Sequence, residues 1–247
     1  MNNTAGNTTI VMVEPQSPGN IGMVCRAMKN MGLSSLRLVK GCDRFHPESL
    51  KFAVSARDLL EQAELFDDLS SALSDCTLTV GTTRRHGKYR QEILSPVEVA
   101  ARIREQAGPY CRAAIVFGRE DSGLTTDELS LCRWHATIPT AAEYGSLNLS
   151  QAVLLFCYEL GKADAPPGGG RMEQPATSGE LELLFSQMDS CLQKIGFLNE
   201  QNPGHIMRSL RRIYFRSSLD SREVAIMRGM LTQIDWASSG FDGRKRS

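Results

Sequence analysis

The chain has 247 residues, 28 Lys and Arg against 28 Asp and Glu, 41% apolar content and seven cysteines. Balanced charge excludes a partner recruited by the charge of the whole chain, so any contact with a polyanion must come from local clustering. The cysteines stand singly and in odd number, which argues against a disulfide framework or a zinc site and fits a reducing cytoplasmic setting; no apolar run is long enough to span a bilayer.

Residues 8–14, TTIVMVE, have the β-branched content of a buried first strand. A turn leads into a helix to about Met31, on which Ile21, Val24, Cys25 and Met28 form the buried stripe. Gly22 lies one turn before Arg26 on another face, where bare helix surface suits approach by a ligand or a second backbone. Gly32 ends this helix and residues 36–39 make a second strand. Residues 47–63 read as one amphipathic helix, with Leu50, Val54, Leu59 and Leu60 among its apolar positions. Leu65 and Phe66 form a brief apolar pair before a short helical run ending near Leu73. A strand over residues 77–81 opens into a loop with Thr82, Thr83, Arg84, Arg85, Lys88 and Arg90 and no acid, a phosphate-contacting strip.

Ser95-Pro96-Val97-Glu98 has the cap, first-turn proline and returning carboxylate of a helix start, and that helix runs to about Ala107. Residues 111–117 make another buried strand. In the loop that follows, Gly118 and Gly123 let backbone approach a bound group while Glu120 offers an acceptor. A short capped helix, residues 125–131, precedes a strand over 134–138. Residues 144–148 then open a helix that is apolar on every side from Ala152 to Phe156, which predicts burial. Ser146 and Asn148 bring a hydroxyl and an amide to this junction of strand and helix, where ligands bind in open α/β sheets. The plainer reading makes Ser146 a helix cap.

Strands alternating with helices over residues 1–160 predict an α/β domain with a largely parallel sheet and helices on both faces. Neither Gly-x-Gly-x-x-Gly after the first strand nor a Walker loop is present, which disfavours dehydrogenase and P-loop readings. Residues 161–177, rich in Gly, Pro and Ala, read as a flexible linker. Residues 178–247 predict a small all-helical extension with helices over about 181–195, 205–217 and 221–236. On the second of these, Arg208, Arg211, Arg212 and Arg216 cluster opposite Ile206, Leu210, Ile213 and Tyr214 as a phosphate-tracking ridge.

Three segments, Asn20-x-Gly22-x-x-x-Arg26, Phe117-Gly118-x-Glu120-x-x-Gly123-Leu124 and Ser146-Leu147-Asn148, resemble in this order the three motifs of the SPOUT superfamily of RNA 2′-O-methyltransferases. The C-terminal segment, with Asn202-Pro203-Gly204-His205 ahead of the Arg-rich helix, is similar to the TrmJ group, which methylates a tRNA ribose. The resemblance implies a trefoil knot at the C-terminal end of the first domain, S-adenosylmethionine bound in it, and a homodimer whose sites are shared between subunits. It implies a cofactor pocket formed by Thr82, Thr83, Arg84, Gly118, Ile138, Gly145, Ser146, Leu147 and Asn148. Arg26 and Ser146 match the family's catalytic positions, with Asn20 and Glu120 as supports. The implied substrate is cytidine or uridine 32 of the tRNA anticodon loop, with neither metal nor membrane involved. Arginine side chains do not deprotonate in proteins, so Arg26 reads as an electrostatic clamp rather than a base. Two other readings stay open: a 2′-O-methyltransferase of ribosomal RNA, and a non-catalytic RNA-binding protein of the same fold.

Overall fold

Seven short runs of apolar residues pair into one sheet: β1 (Thr8–Val13), β2 (Ser35–Val39), β3 (Glu64–Phe66), β4 (Leu78–Thr82), β5 (Ile93–Leu94), β6 (Ala113–Phe117) and β7 (Trp134–Ala136). A computed structural model describes residues 7–84, 93–141, 145–162, 174–198 and 203–239. The strand order is β3-β2-β1-β6-β4-β7-β5, and every pairing is parallel. Central β1 and β6 are buried along their whole length, as expected of strands covered on both faces. Chain order reverses direction at these two strands. The loops after β1, β6, β4 and β7 therefore open along one carboxyl edge, where open parallel sheets bind ligands.

The helices of this unit are α1 (Pro18–Asn30), α2 (Pro47–Ala53), α3 (Arg57–Gln62), α4 (Leu69–Leu73), α5 (Pro96–Glu105), α6 (Thr126–Ser130) and α7 (Leu149–Gly161). Successive strand residues point to opposite faces. Ile10, Met12, Ile115 and Phe117 pack with α1, α3, α5 and α7, whereas Val11, Val13, Ala114 and Val116 pack with α4 and the end of α6. Phe117 meets Phe156 edge to face at 5.5 Å, tying the end of β6 to α7. The start of α5 carries the full capping box, Ser95 with Glu98. No helix among the described residues is long and apolar enough to cross a membrane.

One local expectation needs correction, and two further features carry no local sequence signal. Residues 47–63 form not one helix but α2, a 3₁₀ turn over Val54–Ala56, and α3. Val54 adopts φ +51°, and its side chain is exposed rather than apolar-face material. The break lets Lys29 of α1 reach Ser55 O at 2.8 Å and Asp58 Oδ1 at 2.7 Å. Strand β5, two residues long, carries no periodicity that a sequence reading can detect, and β3 is an edge strand with Leu65 exposed. In β2, Arg37 is buried inside an apolar run, where it donates to both oxygens of Asp75 (2.6 and 3.0 Å) and to Ala72 O. These bonds hold the Asp75 carboxyl at about 2 despite partial burial. Asp75→Asn strands a buried guanidinium and is expected to cost about 2 kcal/mol, discounted for the exposed side of the pair, as read by chemical denaturation.

Contacts along the chain divide it into units Met1–Arg171 and Met172–Ser247. The second holds α8 (Ser178–Lys194), α9 (Pro203–Ser217) and α10 (Ser221–Ala237). Side chains of α8 meet α10 at Glu180 with Ser221, Gln187 with Thr232, and Lys194 with Asp235, so these helices run in the same direction and α9 returns between them. Phe185 is the hub, edge-on to Tyr214 at 6.1 Å and Phe215 at 5.8 Å. The buried stripe of α9 is rotated from the expected one: Met207 and Phe215 are buried, while Ile213 is exposed. Arg211 leaves the expected ridge. It forks onto Glu182 of α8 and lies 4.5 Å from the Phe185 ring centroid. The expected linker is shorter than residues 161–177, since Gly161 closes α7 and Pro175 bridges to Asp220; residues 163–173 lie outside the described residues.

Candidate functional site

Helix α1 begins at Pro18 without a capping side chain of its own. A carboxylate from the other central strand's loop takes that place. Glu120 Oε2 accepts from Gln16 N–H at 2.9 Å, and Oε1 accepts from Ser17 N–H at 3.1 Å and from Asn20 Nδ2 at 2.9 Å. An anion at the first turn is also favoured by the helix dipole. Burial pushes the Glu120 carboxyl up, but these hydrogen bonds outweigh it and hold the group below its ordinary value. An ionised carboxylate only accepts, so the Asn20 amide must turn its NH₂ to Glu120 and its oxygen away. That oxygen accepts from Asn148 Nδ2 at 3.0 Å. Asn148 Oδ1 in turn accepts from Ser150 N–H (2.8 Å) and the Ser150 hydroxyl (2.7 Å), and so caps α7. Glu120 in the loop after β6, Asn20 in the first turn of α1 and Asn148 at the cap of α7 thus form one line of hydrogen bonds between segments far apart in sequence. The cap of α7 is Asn148, not Ser146.

Because the Glu120 pKa is depressed in the folded chain, its contribution is complete above the ordinary carboxylate value of about 4.3 and is lost as pH falls through the folded value. Thermal melts between pH 3 and 7 are expected to show this loss in the parent chain and its absence in Glu120→Gln.

The loop after β6 is closed on itself. A Cβ on Gly118 would lie 2.2 Å from the carbonyl carbon of Gly123 and 2.3 Å from Leu124 N, and Gly123 has φ +71°. Gly118 therefore makes room for its own loop, and both glycines also border the cavity described next. Arg119 pins the hairpin, with Nε on Glu14 at 2.9 Å and both terminal nitrogens on Glu128 at 3.0 and 3.1 Å. No sequence signal had singled out Arg119, since its two acids lie 105 and 9 residues away.

These loops enclose a cavity of about 210 Å³ at the carboxyl edge of the sheet. Eight of the nine expected cofactor residues line it: Thr82, Thr83, Arg84, Gly118, Ile138, Gly145, Ser146 and Leu147. The ninth, Asn148, stands behind it as the helix cap. Glu120 and Ser146 reach the lining directly, and Asn20 connects through Glu120. Thr140, missed by the sequence reading, also lines the cavity; its hydroxyl donates to Gly145 O at 3.4 Å. Among the described residues no cluster of three His, Cys, Asp or Glu could hold a metal.

Residues 7–158 match the profile of the SpoU rRNA Methylase family, and residues 179–244 that of the tRNA methyltransferase TrmJ C-terminal domain. The chain belongs to the SpoU rRNA Methylase family. It is 38% identical to the tRNA (cytidine/uridine/adenosine-2′-O-)-methyltransferase TrmJ of Pseudomonas aeruginosa (strain UCBPP-PA14), over 96% of each chain. The crystal structure of TrmJ from Z. mobilis ZM4 superposes with a TM-score of 0.82 at 35% identity, covering 92% of this chain and 99% of that one. The SpoU methyltransferase AviRb from Streptomyces viridochromogenes, in complex with the cofactor AdoMet, shares the fold at a TM-score of 0.50 and 20% identity, covering 62% of this chain and 59% of that one.

In this SpoU family chain three expected site residues, Asn20, Asn148 and Arg26, do not line the cavity, and no hydrogen bond among the described residues joins Arg26 to the Glu120–Asn20–Asn148 line. Arg26 is exposed on α1, does not line the cavity, and sits two turns beyond Asn20. Gly22, one turn before it, packs on α2: a Cβ there would lie 2.3 Å from Ser49 O and 2.9 Å from Ala53 N. Of the two uses foreseen for Gly22, approach by a second backbone is the one realised. Met23 touches Ser150, and Met31 approaches Gly161, so α1 and α7 lie side by side in the same direction, with Arg26 level with the middle of α7 along the helix axis. That middle is not buried all round. Leu154, Leu155 and Tyr158 are 38%, 39% and 49% exposed, contrary to the expectation from the sequence. Arg85, Lys88 and Arg90 lie outside the described residues, whereas Arg212 is partly exposed and Arg216 exposed on α9.

Proposed function

We propose that this chain transfers a methyl group from S-adenosylmethionine to the 2′-hydroxyl of a tRNA ribose, at cytidine or uridine 32 of the anticodon loop. The observation that carries the reading is the Glu120–Asn20–Asn148 line, which draws three distant segments to one cavity. The likeness to the TrmJ enzymes, extending through the C-terminal unit, supports tRNA as the substrate and the cytoplasm as its place. The cavity fits the cofactor: Ile138, Leu147 and Leu124 offer apolar surface beside the hydroxyls of Thr83 and Thr140 and loop backbone, the mixed lining that a nucleoside with an amino-acid tail requires. When bound, S-adenosylmethionine supplies a methyl group already activated by its sulfonium charge. Within that reading a trefoil knot spans β6 to α7, so that the loops at 118–124 and 138–148 hold the cofactor together.

The protein's part is then to position and to stabilise charge. Glu120 already accepts three hydrogen bonds and acts by fixing the loops, with Asn20 and Asn148, rather than by taking a proton. Ser146 presents its hydroxyl to the cavity and orients the groups bound there. Arg26 binds a phosphate of the acceptor strand and stabilises negative charge developing on the ribose oxygen. Residues 1–160 are the methyltransferase domain and 178–247 the tRNA-binding extension, where Arg208, Arg212 and Arg216 contact phosphates together with Arg85, Lys88 and Arg90. Arg211, paired to Glu182, is not among them.

Arg26 reaches a cavity only if a second copy brings one to it. The exposed Leu154, Leu155 and Tyr158, level with Arg26, form the apolar face that a homodimer covers, with Arg26 of one protomer facing the cavity of its partner. Replacing Leu154 and Leu155 together by Glu is expected to give a folded monomer by light scattering, with methyl transfer reduced about 100-fold, as for loss of a charge-stabilising group. A dimer that survives this change places the interface elsewhere. The site of modification is tested by mass mapping of ribonuclease T1 fragments from tRNA incubated with the enzyme. A methyl group on nucleotide 32 is expected. Acceptance of ribosomal RNA with tRNA left unmodified would favour the rRNA reading instead.

A further inference from the structure

The up-down-up course of α8, α9 and α10 gathers the C-terminal ends of α8 and α10 and the N-terminal end of α9 at one pole of the C-terminal unit. Two large aromatic side chains stand out there. Trp236, in the last turn of α10, is 75% exposed, and Phe197, just past the end of α8, is 56% exposed. Both are carried on ordered backbone. Gly196 turns the chain at φ +70°, and the Phe197 N–H donates back to Leu192 O at 2.9 Å; the α10 cap closes with Ser239 N–H on Trp236 O at 3.2 Å. The backbone that carries both rings is thus already fixed before anything binds.

The charged side chains nearest this pole are mixed, with Asp189 and Asp235 on α8 and α10, and the excess of basic side chains lies on α9, which carries no acid. Lys194 is held by Asp235 at 2.8 Å, and α9 starts with His205 and Arg208, after which Arg212 and Arg216 continue along the helix. A protein interface tends to deplete its core of charge, whereas unpaired RNA is bound by aromatic faces beside cations that track its phosphates. We infer that this pole is a stacking platform for unpaired nucleotides of the RNA substrate: Trp236 and Phe197 receive bases, and Arg208, Arg212 and Arg216 follow the backbone. The inference rests on the RNA reading above and moves the recognising contacts from an arginine ridge to an aromatic end with a basic stripe leading from it. Arg211 has no part in it.

The chain has two tryptophans, so Trp134→Phe leaves Trp236 as the single emitter. The full-length variant is titrated with a 12-nucleotide polyuridylate and with tRNA, and its methyl transfer is measured in parallel. Saturable quenching of Trp236 by both RNAs is expected. In the otherwise unaltered chain, W236A is expected to bind tRNA about 10-fold more weakly with the same salt dependence, because stacking releases no counterions. Arg212→Ala with Arg216→Ala is expected to flatten that salt dependence. Emission unchanged by RNA, in an enzyme that still methylates tRNA, overturns this inference and leaves the proposed activity standing. Emission that changes with protein concentration but not with RNA assigns the pole to a second copy and overturns it as well. Quenching without methyl transfer to any RNA supports the platform while removing the activity.

Discussion

Arg26→Ala is expected to bind S-adenosylmethionine as the parent chain does and to transfer methyl groups at least about 100-fold more slowly, the effect of removing a preorganised group that meets charge developing at the reacting oxygen. The separation of the two effects follows from position. Arg26 does not line the cavity of its own chain, and in the proposed dimer it meets the acceptor strand rather than the cofactor, so its removal is expected to spare cofactor binding. It is exposed, and Gly22 rather than Arg26 makes the close contact with α2, so stability should move by less than about 0.5 kcal/mol. Arg26→Lys keeps the charge but loses the planar fork, and should recover only part of the rate. Calorimetry for cofactor binding and single-turnover transfer for chemistry read the two quantities separately. Full turnover by Arg26→Ala would take Arg26 out of the mechanism.

Gly118→Ala is expected to do the reverse, weakening cofactor binding itself. The added Cβ would meet backbone, 2.2 Å from the Gly123 carbonyl carbon, and backbone cannot swing aside as a flexible side chain does. Nor can the loop relax easily, because Arg119 anchors it to Glu14 and Glu128 and Glu120 anchors it to the start of α1. Overpacking of this kind costs about 1–3 kcal/mol, and the strain falls on the wall of the cavity. A melting temperature several degrees lower and at least about 10-fold weaker cofactor binding are expected, the latter from about 1.4 kcal/mol of lost complementarity. Gly108→Ala is the control. Nothing lies within 4 Å of a Cβ there, and both quantities should hold.

The two central strands were legible because burial on both faces leaves an unbroken apolar run, and the capping box at Ser95 because its partners are three residues apart. What went unread depends on contacts between distant segments. The bond from Asn148 to Asn20 crosses 128 residues and has no local signature, so the line through Glu120 appears only once β1 and β6 pair. Arg211 shares a helical face with Arg208 and Arg212 on a wheel, but Glu182 of α8 draws it inward. Val54 fits an amphipathic period, yet the chain turns there into a left-handed conformation so that α3 can pack on the sheet. The apolar run over 152–156 predicts burial of Leu154 and Leu155, yet both are exposed, because such a run records that a face is apolar and not that the same chain covers it.

The most direct test of the account supplies the purified protein with S-adenosylmethionine labelled in its methyl group and with unmodified tRNA, then digests the RNA to nucleosides for mass spectrometry. The label is expected in 2′-O-methylcytidine or 2′-O-methyluridine, and nearly disappears with Arg26→Ala. Label on a nucleobase, or none transferred by protein that binds both the cofactor and tRNA, would contradict it.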